Sequence, residues 1–119
     1  MIDLSDAESV RKGLELLCRQ PSRRINPPSV AVDRHRWQPF TVTDPVTLSR
    51  FNDVAAWEFI ADCLADLCHI DCLPPDSEFD DHAYVMIEPC GLRRVYMKIA
   101  IMPKIDKVIG ISFHYERKH

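Results

Sequence analysis

Residues 83–115 read AYVMIEPCGLRRVYMKIAIMPKIDKVIGISFHY, and this stretch decides the fold. It holds three β-rich runs separated by two turn-forming segments. The second run, 94–102, and the third, 108–115, alternate between apolar and polar residues, which is typical of strands with one face on a core. Core positions are expected at Val95, Met97, Ile99, Ile101, Ile109, Ile111 and Phe113.

The second and third runs can be joined as a hairpin with residues 103–107 as its loop. The register then places Val95 opposite Tyr115 and Ile101 opposite Ile109, so that every rung joins apolar to apolar. A shift of the register by one residue would bury half of the polar side chains of the hairpin. The alternation therefore favours this register.

The same register gathers polar side chains on the other face of the hairpin. Tyr96 lies opposite His114. Lys98 lies opposite Ser112, and Arg94 stands at the end of the row. Cross-strand partners are within contact distance of each other. We call these five residues the polar face and take it as the candidate site, although an open sheet face carries polar residues in any case.

The composition, with 46% hydrophobic and 28% charged residues, is typical of a globular protein, and we expect one α+β domain over residues 1–119. No apolar run reaches the roughly 18 residues of a transmembrane helix, and the acidic N-terminus is unlike a secretory signal. We therefore expect a cytoplasmic protein with reduced cysteines. Residues 44–90 carry one base and eleven acids, whereas residues 91–119 carry seven bases and two acids, which keeps a local phosphate site open.

Two helices are predicted before the strands. Residues 6–19 form an amphipathic helix behind a capping box at Ser5 and Glu8, and residues 52–70 form the second helix. The proline-rich connection between them has a candidate edge strand at 36–43. The predicted fold class is α+β, with two N-terminal helices packed on a three- to four-stranded antiparallel sheet.

The second helix leaves another function open. Its polar face carries Glu58, Asp62 and Asp66, which form either a solvated surface or a docking site for a basic partner. Under the docking interpretation the chain is a non-catalytic binding module, similar in role to an immunity protein or an antitoxin.

The cysteines raise a third possibility, a redox or metal protein. Cys63, Cys68, His69 and Cys72 lie close in sequence, but their spacing matches no zinc motif. The acidic loop at 71–82 lacks the glycine of a calcium loop, and no glycine-rich phosphate loop or metallohydrolase motif is present. We therefore expect no metal and no cofactor.

The polar face has the chemistry for RNA cleavage. The 2′-hydroxyl needs a base, the leaving 5′-oxygen needs an acid, and the pentavalent phosphorane needs cations. The imidazole of His114 can serve in either proton role. Lys98 and Arg94 supply positive charge for the phosphate, and Tyr96 would position the ribose or base.

The C-terminal third resembles a toxin family. Its segments RRVYMKIAI (93–101) and VIGISFH (108–114) are similar to the V-Y-L-K-I and V-L-I-V-S-F-K strands of the motility quorum-sensing regulator toxins. These MqsR-type proteins are endoribonucleases with a RelE-like fold. The resemblance implies an enzyme that cleaves mRNA without a metal and is neutralised by a protein antitoxin. We expect no direct contact with DNA and none with a membrane.

The functional residues of the family carry over by position. The family's strand tyrosine falls on Tyr96 and its neighbouring lysine on Lys98, while His114 stands where the family has a lysine. The family's Trp-Gln pair has its nearest counterpart at Asp81 and His82. Candidate catalytic residues are His114, Tyr96, Lys98 and Arg94. Candidate substrate-binding residues are His82, Ser112 and Arg93.

Overall fold

The computed structural model describes residues 6–26, 36–73, 83–102 and 105–116. These residues form two α-helices, α1 (Ala7–Arg19) and α2 (Asp53–Ala65), and six β-strands. The strands are β1 (Arg24–Ile25), β2 (Arg36–Trp37), β3 (Asp71–Leu73), β4 (Ala83–Cys90), β5 (Arg93–Met102) and β6 (Lys107–Tyr115). In this part of the chain, neither helix has the length and apolar content that crossing a bilayer requires.

All six strands belong to one mixed sheet. Strands β6, β5, β4 and β3 are antiparallel neighbours in that order, and β1 and β2 both run parallel to β6 along its other edge. β1 pairs with Val108 and Ile109, and β2 pairs with Ser112 and Phe113, so the two short strands lie end to end. The predicted RelE-like sheet of three or four purely antiparallel strands is therefore wrong.

The path of the chain explains the parallel pairs. Parallel neighbours need a long crossover connection, and the chain between β2 and β6 contains α2 and three further strands. The edge strand predicted at 36–43 is limited to Arg36–Trp37, because a turn of 3₁₀-helix begins at Pro39. With β1 and β2 in place, β6 is an interior strand of the sheet.

Both helices pack on one face of this sheet. An aromatic contact joins the layers, since the Trp37 ring lies 4.9 Å from that of Trp57 on α2 and 5.8 Å from that of Phe113 on β6, measured between centroids. Further buried residues of this core include Leu14, Leu17, Ile60, Leu64, Met86, Val95, Met97, Ile99 and Ile101.

The helix ends differ in part from the prediction. Asn52 caps α2, because its side-chain oxygen accepts a hydrogen bond from the Ala55 N–H at 2.7 Å. α2 ends at Ala65 rather than at residue 70, since Leu67 has a φ of 59° and turns the chain. Asp71–Leu73 then pairs with β4, where the sequence predicted only a loop. Ser5 of the predicted capping box lies outside the described residues.

The β5–β6 register is confirmed at one end of the hairpin and wrong at the other. Rungs from Val95–Tyr115 to Lys98–Ser112 are as predicted, but the next rung joins Ile99 to Gly110. Ile111 has no partner of its own on β5, so it forms a β-bulge. The bulge moves Ile109 and Ile111 out of the main core and into a second cluster with Ala83 and Ala100.

Candidate functional site

The polar face lies on the side of the sheet away from the helices. Three cross-strand pairs build it, at every second position along the strands: Lys98 with Ser112, Tyr96 with His114, and Arg94 with Glu116. The last rung extends the ladder beyond β6, because the Glu116 N–H donates to the Arg94 carbonyl at 2.8 Å. All five predicted members therefore lie together, and a sixth polar residue joins them.

Tyr96 and His114 form a stacked pair at the centre of the face. Their ring centroids are 5.3 Å apart, and the ring planes differ by 19°. Tyr96 has Ile87 of β4 as its partner on the other side. Burial raises the pKa of Tyr96, so its phenol keeps its proton, and can donate it, at neutral pH.

The imidazole of His114 is oriented by the backbone. Its Nδ1 lies 2.8 Å from the carbonyl oxygen of Tyr115. Because a carbonyl oxygen only accepts hydrogen bonds, Nδ1 carries the proton in this contact. In the neutral ring, Nε2 is then the nitrogen that can accept a proton.

Lys98 and Ser112 form the neighbouring rung. Lys98 is half-buried, and within the described residues no carboxylate lies in ion-pair distance of its ammonium group. Ser112 is only 6% exposed, which makes it the least accessible residue of the polar face. Lys98 is therefore the better placed of the two to meet an anionic group.

Arg94 is already paired with an acid. Its Nη2 lies 2.5 Å from Oε1 of Glu116, and the Arg94 side chain is 60% exposed. The other oxygen, Oε2, is buried and has no hydrogen-bond partner among the described residues. The sequence prediction missed Glu116, although it continues the alternation through Ser112 and His114 and could have been found from it.

Two other predicted residues do not join this group. The guanidinium carbon of Arg93 lies 3.8 Å from the centre of the Tyr115 ring, and Tyr115 packs against the main core. The Tyr115 hydroxyl in turn accepts a hydrogen bond from the Thr43 N–H at 3.1 Å. Arg93 is thus held apart from the Tyr96–His114 pair, and His82 lies outside the described residues.

The acidic face of α2 is bound by residues of the same chain. Arg19 contacts Asp62 at 3.1 Å and Glu58 at 3.6 Å. The side chain of Arg24, only 6% exposed, donates to Glu58 at 2.8 Å and to the Cys18 carbonyl at 2.6 Å. Two of the three carboxylates that would attract a basic partner are therefore already paired.

The buried thiols are poor nucleophiles. Burial raises the pKa of Cys18 and of Cys63 to about 12, and burial also raises the pKa values of Cys68 and Cys90. Since the thiolate is the reactive form, these four side chains stay protonated and inert at neutral pH. Within the described ranges, no three His, Cys, Asp or Glu residues are grouped so that they could hold a metal ion.

Taken together, the polar face offers a proton acceptor at His114, a proton donor at Tyr96 and a cation at Lys98, in two cross-strand pairs that are neighbours on this face of the sheet. Such a set can move protons and stabilise negative charge on a phosphoryl group. No protein-family model, no curated protein and no solved structure matches the chain.

Proposed function

We propose that the chain is a metal-independent endoribonuclease toxin that cleaves mRNA in the cytoplasm and is neutralised by a protein antitoxin. The stacked Tyr96–His114 pair is the observation that carries this proposal. It combines an imidazole, whose Nδ1 is held at 2.8 Å by a carbonyl, with a phenol that burial keeps protonated. The resemblance of the two strands to the toxin family supports the same activity.

The proposed reaction begins at His114. Its Nε2 removes the proton from a ribose 2′-hydroxyl, and the oxygen attacks the adjacent phosphorus. The bond from phosphorus to the 5′-oxygen breaks, giving a 2′,3′-cyclic phosphate on one product. The leaving 5′-oxygen takes a proton from Tyr96, whose phenol is still a far stronger acid than an alcohol. Exchange with water restores both side chains.

Lys98 stabilises the charge that develops during this step. Lys98 is half-buried and lies two residues from Tyr96, on the same face of the sheet. Fixed cations near a phosphorane contribute most where water is excluded. The basic C-terminal third of the chain, with seven bases and two acids, adds attraction for a polyanion.

Growth after tightly controlled induction in a bacterial host tests the proposal. The wild type should arrest growth, and His114→Ala should not. The matched control is His69→Ala, since His69 is exposed and contacts Asp71 away from the polar face; this variant should remain toxic. A harmless wild type, or equal toxicity of His114→Ala, would reject the proposal.

Cleavage of RNA by the purified protein gives an independent readout. The products should end in a 2′,3′-cyclic phosphate and a 5′-hydroxyl, and cleavage should persist in EDTA because no step of the mechanism uses a metal. Loss of cleavage in EDTA that Mg²⁺ restores would contradict the assignment of His114 and Tyr96 as the proton-transfer groups.

A further inference from the structure

The ion pair between Arg94 and Glu116 leaves one carboxylate oxygen without a hydrogen bond from the described part of the chain. One nitrogen of Arg94 contacts one oxygen of Glu116 at 2.5 Å, so the ion pair is monodentate. The second oxygen, Oε2, is buried with no hydrogen-bond partner among the described residues. A buried acceptor without a partner opposes the stability of the closed pair.

Both side chains are in contact with solvent. The side chain of Arg94 is 60% exposed and that of Glu116 is 29% exposed. Glu116 also follows the last residue of β6, at the open end of the ladder. Ion pairs that stay partly exposed to water are weak.

Arg94 lies on the face that the proposed mechanism uses. It is two residues from Tyr96, and its partner Glu116 is two residues from His114, on the same face of the sheet. A carboxylate and a phosphate accept from a guanidinium in the same way, so they compete for the same donors. While the pair is closed, Glu116 holds a donor that a substrate phosphate would use.

We infer that Glu116 is an internal competitor of the substrate: its carboxylate occupies Arg94 in the free protein, and a backbone phosphate of RNA displaces it. This inference rests on the proposed function. It makes Glu116 a residue that weakens binding, whereas a residue that positioned Arg94 for the phosphate would strengthen binding.

The test measures binding to a fluorescent single-stranded 2′-O-methyl RNA, which cannot be cleaved because it lacks the 2′-hydroxyl. Anisotropy titrations at one low salt concentration compare wild type, Glu116→Gln, Arg94→Gln and the double variant. Glu116→Gln should lower the Kd about two- to five-fold, the factor that an exposed pair of about 0.5–1 kcal/mol provides. In the Arg94→Gln background the same change should have no effect.

Controls separate release of Arg94 from a general loss of negative charge. Asp71→Asn removes an acid on β3 that pairs with His69, and it should leave the Kd unchanged. Glu116→Ala should tighten binding as Glu116→Gln does, so a folding defect of one variant, detected by circular dichroism, would not decide the result. Equal tightening with and without Arg94 would overturn the inference, as would weaker binding by Glu116→Gln.

Failure of the inference differs from failure of the proposed function. If the wild type cleaves RNA and binds the probe but neither Glu116 variant binds more tightly, only the competitor role is overturned. If the wild type neither cleaves RNA nor binds the probe, the proposed function fails and the competitor role fails with it.

Discussion

The backbone of Gly110 lies directly against the indole ring of Trp37. A Cβ atom added at Gly110 would fall 2.6 Å from Cζ3 and 2.7 Å from Cε3 of that ring. Carbon atoms pack best at about 3.5–4.0 Å, so Gly110→Ala must displace either the ring or the strand. The φ of Gly110 is not in the left-handed region, and the cost therefore comes from this contact alone.

The ring has little freedom to move. It packs against Trp57 in a tilted contact and against Phe113 in an edge-on contact, and its Nε1 donates to Oδ1 of Asp53 at 2.9 Å. Overpacking typically costs about 1–3 kcal/mol, and a lost hydrogen bond adds about 1 kcal/mol. We expect Gly110→Ala to lower the free energy of unfolding by about 2–3 kcal/mol, or the Tm by roughly 8–12 °C.

Urea unfolding followed by circular dichroism measures this loss, and a second background tests its cause. Trp37→Leu removes the ring that the new methyl group meets, so adding Gly110→Ala there should cost less than about 1 kcal/mol. The same cost in both backgrounds would refute the argument from the Trp37 contact. If Gly110→Ala unfolded at the same urea concentration as the wild type, the argument would be refuted as well.

Three further variants test other parts of the structure. Cys18→Ala should flatten the alkaline loss of stability: the folded state holds the Cys18 pKa at about 12 against an ordinary 9.0. The free energy of unfolding that this bound proton contributes is therefore fully present below about pH 9. It falls by up to about 1.4 kcal/mol per pH unit as the pH rises from there toward the pKa of the folded state. If the free energy of unfolding, measured by urea titration, had the same slope against pH in the wild type and in the variant, this reasoning would be contradicted. Arg24→Met should cost about 1–3 kcal/mol in urea unfolding, because the Cys18 carbonyl loses its donor while Glu58 stays partly hydrated, and an unchanged midpoint would count against it. Tyr96→Phe keeps the stack on His114 but should lower kcat for RNA cleavage about 10²-fold or more; an unchanged kcat would remove Tyr96 as the proton donor.

Local alternation was enough to predict the hairpin and the residues that face each other near its open end. Val95, Tyr96 and Met97 have the partners on β6 that the pattern indicated. The amphipathic helix at the N-terminus was also predicted within one residue of Ala7–Arg19. These elements depend on neighbours along the chain, and the sequence carries that information directly.

The mixed sheet could not be predicted in the same way. β1 and β2 have two residues each, which is too short for a period of two to be visible. Their pairing with β6 joins residues about 75 to 85 positions apart, as in Arg24 with Val108 and Trp37 with Phe113. The register shift at Ile111 is likewise a product of packing, because apolar residues stand on both sides of the bulge.

Within the candidate site, the sequence indicated the residue types and two of the cross-strand pairs, and the structure supplied the side-chain contacts. The contact of Arg93 with Tyr115 and that of Arg94 with Glu116 depend on side-chain conformations, which no alternation pattern specifies. The orientation of the His114 imidazole by the Tyr115 carbonyl is of the same kind. Such contacts decide which of the cations are already paired within the chain.

The bulge at Ile111 makes the number of residues in β6 as important as their identity. Deleting one residue between Ile109 and Ser112 would restore unbroken alternation along the strand. The row that carries His114 and the second apolar cluster would then keep their present faces, because Ser112, Gly110 and Ile109 already lie opposite three consecutive residues of β5. A deletion elsewhere in β6 would shift one part of the strand by one residue and turn its side chains to the opposite face of the sheet. A deletion scan along β6 should therefore find the bulge more tolerant than the rest of the strand.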